Sequence, residues 1–207
     1  MWIFLMKVKI CGITNLLDAK NCEMLGVDMI GFIFYKKSPR YINLDSSLKI
    51  ISKLNNKIKK VGVFVDEDIE VINNMSNILK LNYIQLHGDE DNEYIKKIKT
   101  PTIKALNGND VNLDSKIKEF SKPEFILLDN INKDSKGGSG EKFDWKNILN
   151  LDNKEKLILS GGLNEKNIIN AMKTGIKFFD FCSATEKKPG IKDSKKVKTI
   201  VKLIHDA

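Results

Sequence analysis

Short runs of β-branched and other apolar residues alternate along the chain with stretches whose apolar positions recur at helical spacing. The apolar runs predict eight strands: Lys7 to Cys11, Val27 to Phe34, Lys60 to Val65, Asn82 to Leu86, Thr102 to Leu106, Glu124 to Asp129, Lys156 to Ser160 and Ile176 to Cys182. Amphipathic segments lie between them, such as Asp68 to Lys80, with Ile69, Ile72, Ile78 and Leu79 apolar, and Asn164 to Lys173, with Ile168, Ile169 and Met172 apolar. These read as crossover helices. The interval from Leu106 to Phe125 is polar and weakly periodic, so its helix is the least defined element. Eight consecutive βα units without a linker or composition break predict one α/β domain, a single (β/α)8 barrel of the TIM type over residues 6–207. Residues 1–5 read as an N-terminal extension without function. An open doubly wound sheet is the alternative, but no strand runs into the G-x-G-x-x-G of a dinucleotide fold.

Composition narrows the class. With 207 residues, 42% of them hydrophobic and 30% charged, the chain has the profile of a globular protein that can bury its own core. No apolar run approaches the roughly 20 residues that cross a bilayer, which predicts no membrane partner and a cytoplasmic location. Three cysteines without a C-x-x-C pair argue against a disulfide framework and fit a reducing compartment. The net charge of +8 suits nucleic acid, a membrane surface or a phosphorylated small molecule. The lysines, however, are spread through helix-like segments such as Glu93 to Lys99, so the simpler expectation is solvated helix faces and no nucleic-acid partner.

In a barrel of this kind, chemistry sits where the strands end at their C-termini. There the chain carries Cys11-Gly12-Ile13-Thr14, Ser38-Pro39-Arg40, Gln85-Leu86-His87-Gly88, Asp129 with Gly137-Gly138-Ser139-Gly140 after it, Ser160-Gly161-Gly162 and Cys182-Ser183-Ala184. Cys11 reads either as a small buried apolar residue or as a base; Lys9 shares its strand face and either favours a thiolate or pairs with an acid inside the barrel. Asp129 closes the apolar run Phe125 to Leu128, where desolvation would raise its pKa and suit it to donate a proton; the alternative is a loop cap. The loops at Ser160-Gly161-Gly162 and Ser183-Ala184, which close the seventh and eighth strands, fit phosphate binding by loop amides. Arg40 is a cation able to grip a carboxylate or phosphate, or a surface ion-pair partner. Gln85 and His87 share a face and either line the pocket or complete a buried network, while Cys22 and Cys182 are expected to pack. Two histidines and no carboxylate cluster at ligand spacing predict no metal.

The same segments, taken in order with Gly31-Phe32-Ile33-Phe34, Val61-Gly62-Val63-Phe64-Val65, Phe143-Asp144-Trp145 and Gly190-Ile191-Lys192-Asp193, give the chain a resemblance to the phosphoribosylanthranilate isomerases of tryptophan biosynthesis. The resemblance covers the chain from Met6 to about Ile204. It implies an Amadori rearrangement of N-(5-phosphoribosyl)anthranilate without cofactor or metal, acting on a small phosphorylated sugar, in a monomer or homodimer. It further implies Cys11 as base and Asp129 as acid, with Arg40 holding the anthranilate end and Gly161, Gly162, Ser183 and Ala184 binding the phosphate. Gln85, His87, Gly138 and Ser139 complete the expected substrate-binding set. The chain departs from the family at Ala184, where glycine is usual and a Cβ would restrict positive φ and crowd a phosphate, and between the fifth and sixth strands. The related histidine-pathway isomerase, with an aspartate in place of Cys11, and a non-catalytic nucleic-acid-binding barrel are the competing readings.

Overall fold

The structure, a computed structural model, describes residues 6–131 and 144–207. The proposed extension of residues 1–5 lies outside the described residues. The strands β1 (Lys7–Cys11), β2 (Met29–Ile33), β3 (Lys59–Phe64), β4 (Tyr83–Leu86), β5 (Thr102–Asn107), β6 (Phe125–Asp129), β7 (Leu157–Leu159) and β8 (Phe178–Phe181) close in sequence order into one parallel barrel. Helices α1 (Leu16–Met24), α2 (Leu44–Ile51), α3 (Ile69–Leu79), α4 (Asn92–Lys96), α5 (Leu113–Glu119), α6 (Ile168–Met172) and α7 (Ser194–His205) alternate with or follow the strands. A small antiparallel pair, β9 (Glu186–Lys188) and β10 (Ile191–Lys192), follows β8.

Local chemistry explains many of the helix starts. Side chains of Asn15, Asn43, Asp68, Asp91 and Asp193 accept hydrogen bonds from first-turn amides, supplying partners that the helix itself cannot. In α3 the expected ends become the two caps: Asp68 bonds the amides of Glu70 and Val71, and Lys80 stops the helix at φ +51°. Two apolar layers follow from the strand alternation. Met29, Val61, Ile103, Leu127, Ile158 and Phe178 fill the barrel floor, and a larger cluster including Ile10, Phe32, Ile84, Leu128 and Phe179 packs between barrel and helices. Each such burial contributes about 1.5–3 kcal/mol.

Several expected boundaries move inward. Val27 and Phe34 are buried yet lie outside β2, because apolarity marks burial while a strand lasts only as long as its neighbours pair with it. The expected helix from Asn164 shrinks to α6, since the Asn164 and Asn167 side chains both donate to the Gly162 carbonyl and hold residues 164–167 in turns. The weakly periodic interval does contain α5.

Candidate active site

Alternation along β1, β4, β6 and β8 brings a set of polar side chains to the inside of the mouth. Lys9 is fully buried, with its Nζ 3.0 Å from Asp180 on the neighbouring strand. Burial opposes its charge, but Asp180 and Cys11 more than offset this and hold the lysine above its ordinary value. Of the two readings of Lys9, both are present: it pairs with an acid and acts on the thiol. Cys11 is brought down from 9.0 to about 6, first by a hydrogen bond with Cys182 and then by the charges of Lys9 and Lys192, against the opposing effect of burial. The thiol is seated against Gly31, where an added Cβ would fall 2.7 Å from its Sγ.

Cys182 was expected to pack within the last strand, and here the structure corrects the sequence reading. It lies one residue beyond β8, and its thiol bonds Cys11. Cys22 is fully buried in α1, and burial pushes its thiol up to about 12, as a packing residue requires.

Across the mouth, burial pushes the Asp129 carboxyl up from 3.8 to about 6, opposed by the Asn130 amide that donates to Oδ1 at 2.7 Å. His87 is buried, and desolvation lowers it to about 4, so the ring is neutral near neutrality. With the Gln85 amide nitrogen 2.9 Å from Nδ1 as donor, the ring carries its hydrogen on Nε2, which faces Asp129 Oδ2 at 3.6 Å. Gln85 Oε1 and His87 Nε2 are two of the three buried side-chain polar atoms without a hydrogen-bond partner among the described residues.

The glycine-rich ends also take specific shapes. Gly161 and Gly162 adopt φ of +72° and +67°, and a Cβ on Gly161 would lie 2.8 Å from both Asp129 Oδ1 and the Asn130 nitrogen. The turn therefore needs glycine both for its backbone and for its approach to the carboxyl. Ser183 and Ala184 form a single 3-10 turn ending at Thr185. Ala184 is not among the positive-φ residues, so the backbone strain expected from replacing the family glycine does not arise. Ala184 borders a hollow of about 250 Å³ with Asn164, Lys166 and Lys196. Gly138 and Ser139 lie outside the described residues.

Arg40 is held by Glu186 in a two-pronged ion pair, Nε to Oε1 at 2.9 Å and Nη2 to Oε2 at 2.8 Å. Glu186 also accepts from Lys192 Nζ at 3.0 Å and from the Gly190 amide at 3.1 Å. The stem of Arg40 crosses Gly12, whose added Cβ would be 2.8 Å from the arginine Cδ. Thus Arg40 is one of two cations, with Lys192, around a single buried carboxylate.

Residues 8–203 match the sequence profile of the family described as PRAI, N-(5'phosphoribosyl)anthranilate (PRA) isomerase. The N-(5'-phosphoribosyl)anthranilate isomerase of Aquifex aeolicus (strain VF5) is 41% identical over 206 residues, covering 96% of this chain and 98% of its own. The chain belongs to the phosphoribosylanthranilate isomerase family. The enzyme of that name from Bacillus cereus (strain AH187) is 39% identical over 198 residues, 95% of this chain and 96% of that one. A crystal structure of phosphoribosyl anthranilate isomerase in complex with reduced 1-(o-carboxyphenylamino)-1-deoxyribulose 5-phosphate superposes with a TM-score of 0.83 at 35% identity, covering 98% of this chain and 100% of that one. Both the family and the (β/α)8 barrel expected from the sequence are thereby established.

Sequence reasoning gave no role to Asp180, Glu186 or Lys192. Asp180 had a readable signal, since it lies two residues before Cys182 and so shares its strand face. Glu186 and Lys192 had none beyond the order of motifs, because their meeting depends on the β9–β10 turn.

Proposed function

We propose that Cys11 and Asp129 carry the two proton transfers by which this isomerase of tryptophan biosynthesis converts N-(5'-phosphoribosyl)anthranilate into 1-(2-carboxyphenylamino)-1-deoxyribulose 5-phosphate. The supporting observation is a thiol shifted down and a carboxyl shifted up in one mouth, so that a thiolate base and a protonated acid coexist near pH 6. Asp129 gives its proton to the furanose ring oxygen, the ring C–O bond breaks, and the nitrogen lone pair forms the Schiff base. The Cys11 thiolate then removes the C2 proton, its electron pair moves toward nitrogen, and the resulting enolamine tautomerises to the ketose. Neutral His87 beside Asp129 offers its Nε2 hydrogen, and Gln85 its Oε1, to sugar hydroxyls.

Arg40 and Lys192 together outweigh the charge of Glu186, leaving a positive site beside Cys11 for the anthranilate carboxylate. The amides of Gly161, Gly162, Ser183 and Ala184 take the phosphate. On this reading the partner is a small phosphorylated sugar and not a nucleic acid, and the enzyme works in the cytoplasm as a monomer or homodimer. Among the described residues no helix is long and apolar enough to cross a membrane.

The test is the loss of anthranilate-type fluorescence when the protein meets freshly formed phosphoribosylanthranilate. Wild type is expected to turn over and Cys11→Ala to lose at least about 100-fold, the ordinary weight of a general base. Equal rates for the two folded proteins would remove Cys11 from the mechanism.

A further inference from the structure

The isomerisation described above is assigned to one thiol, yet the mouth holds two. The β1–β8 ladder sets Lys9 opposite Asp180 and Ile10 opposite Phe181, which makes Cys11 and Cys182 the next opposed pair. Two residues earlier the same face carries the Lys9–Asp180 ion pair across the same seam, so both thiols project to the same side. Neighbouring strands lie about 4.8 Å apart, inside the roughly 4.4–6.8 Å between Cα atoms that a disulfide spans. An added Cβ on Gly12, the residue after Cys11, would lie 3.3 Å from Cys182 Sγ, so the Cys182 sulfur sits against the end of β1. Cys182 is partly exposed where Cys11 is buried, so the pair has a solvent side and an inner side.

We propose that Cys11 and Cys182 form a redox-active dithiol, a modification site that takes a small hydroperoxide and closes to a disulfide across the β1–β8 seam. The Cys11 thiolate attacks the peroxide, the O–O bond breaks, and a sulfenic acid forms on Cys11 while the other oxygen leaves as alkoxide or hydroxide and is protonated. Cys182 then attacks the Cys11 sulfur, the S–O bond breaks, and water leaves. The sum is one hydroperoxide and two thiols giving one disulfide, one alcohol or water, and one further water. Lys9 and Lys192 favour the thiolate of Cys11, the attacking group, whereas the hydrogen bond with Cys11 and burial keep Cys182 a thiol that resolves the sulfenic acid. Cys22, buried in α1 away from the β1–β8 seam, serves as an internal control.

The experiment treats the fully reduced chain with equimolar hydrogen peroxide, alkylates the remaining thiols, and maps the unreduced peptides by mass spectrometry. The expected result is a fall from three free thiols to one, a single Cys11–Cys182 linked peptide, alkylated Cys22, and recovery of all three thiols with dithiothreitol. In Cys182→Ser the same treatment should leave Cys11 as a sulfenic acid that a dimedone-type trap captures, passing with excess peroxide to states that dithiothreitol does not reverse. Oxidation of Cys11 in wild type without linkage to Cys182, or linkage to a second chain, would overturn the proposal. This mapping needs no substrate and so stands apart from the isomerase mechanism. A reversible cross-link that abolishes turnover supports both assignments, whereas a cross-link with turnover unchanged confirms the dithiol and removes Cys11 as base.

Discussion

The two sides of the barrel mouth are alike in burial and opposite in charge. On the β1–β8 side, Cys11 lies among Lys9, Arg40 and Lys192, whose acids Asp180 and Glu186 are taken up in ion pairs. On the β4–β6 side, Gln85, His87 and Asp129 are as far from water, but the ring beside Asp129 is neutral and Lys104 is committed to Glu90 at 2.7 Å. The same desolvation therefore ends differently. It raises the carboxyl because the Asn130 amide and the charge of Lys9 only partly offset it, while on the other side the Cys182 hydrogen bond and the cations overcome it and lower the thiol. Groups that ordinarily titrate at 9.0 and 3.8 are both brought to about 6. Distance from water alone sets neither value; what shares the dry space decides the direction.

Removing either pole of this contrast should have the largest effect. Asp129→Asn, like the thiol variant, is expected to lower kcat by at least about 100-fold in the fluorescence assay, with circular dichroism confirming the fold. A folded variant at wild-type rate would break the comparison. Next comes Lys9→Met, which leaves Asp180 buried without its partner. It should cost roughly 3–5 kcal/mol in denaturant unfolding, and adding Asp180→Leu should restore much of the loss.

The acid side makes a signed prediction about stability. Because Asp129 has a folded value near 6 and an ordinary value of 3.8, the native state binds the extra proton between them. The stability from this group is complete below about 3.8 and is lost as pH rises through about 6. Asp129→Asn should therefore exceed wild type by roughly 3 kcal/mol at pH 8 and match it at pH 3.5. A difference that is the same at both pH values would show that burial is not the cause.

Smaller in effect, but sharper as a test, is the pH profile of kcat/KM. The rising limb reports loss of the Cys11 proton and the falling limb loss of the Asp129 proton, so the maximum should sit near pH 6. A plateau extending to pH 9 would mean that Asp129 does not act as the acid. Smallest of all, Gly161→Ala forces a side chain into positive φ at a cost of about 1–2 kcal/mol, and the added Cβ must displace Asp129 or Asn130. Melting temperature and kcat should fall together.

Much of this architecture was legible in the chain. Period-two alternation located Lys9 and Cys11 on one face, and the apolar run before Asp129 marked a carboxyl at the edge of a dry core. Local reading stopped where the partner lay far away in sequence. Cys182 looked like one more buried cysteine because its neighbour Cys11 is brought beside it only by closure of β8 onto β1. Arg40 read as either a substrate grip or a surface ion-pair partner because its buried partner Glu186, far along the chain, reaches it only through the β9–β10 turn. Ala184 looked strained because the family glycine suggested a left-handed backbone, whereas the turn here is right-handed.

The sequence by itself determined the alternation of strands and helices, the caps, and the residues delivered to the strand ends, since each depends on neighbours within a few positions. Tertiary structure alone decided the protonation of those residues, because charge and dryness at the mouth come from strands joined only when the barrel closes. The shifts that the proposed roles of Cys11 as base and Asp129 as acid require arise only at that closure.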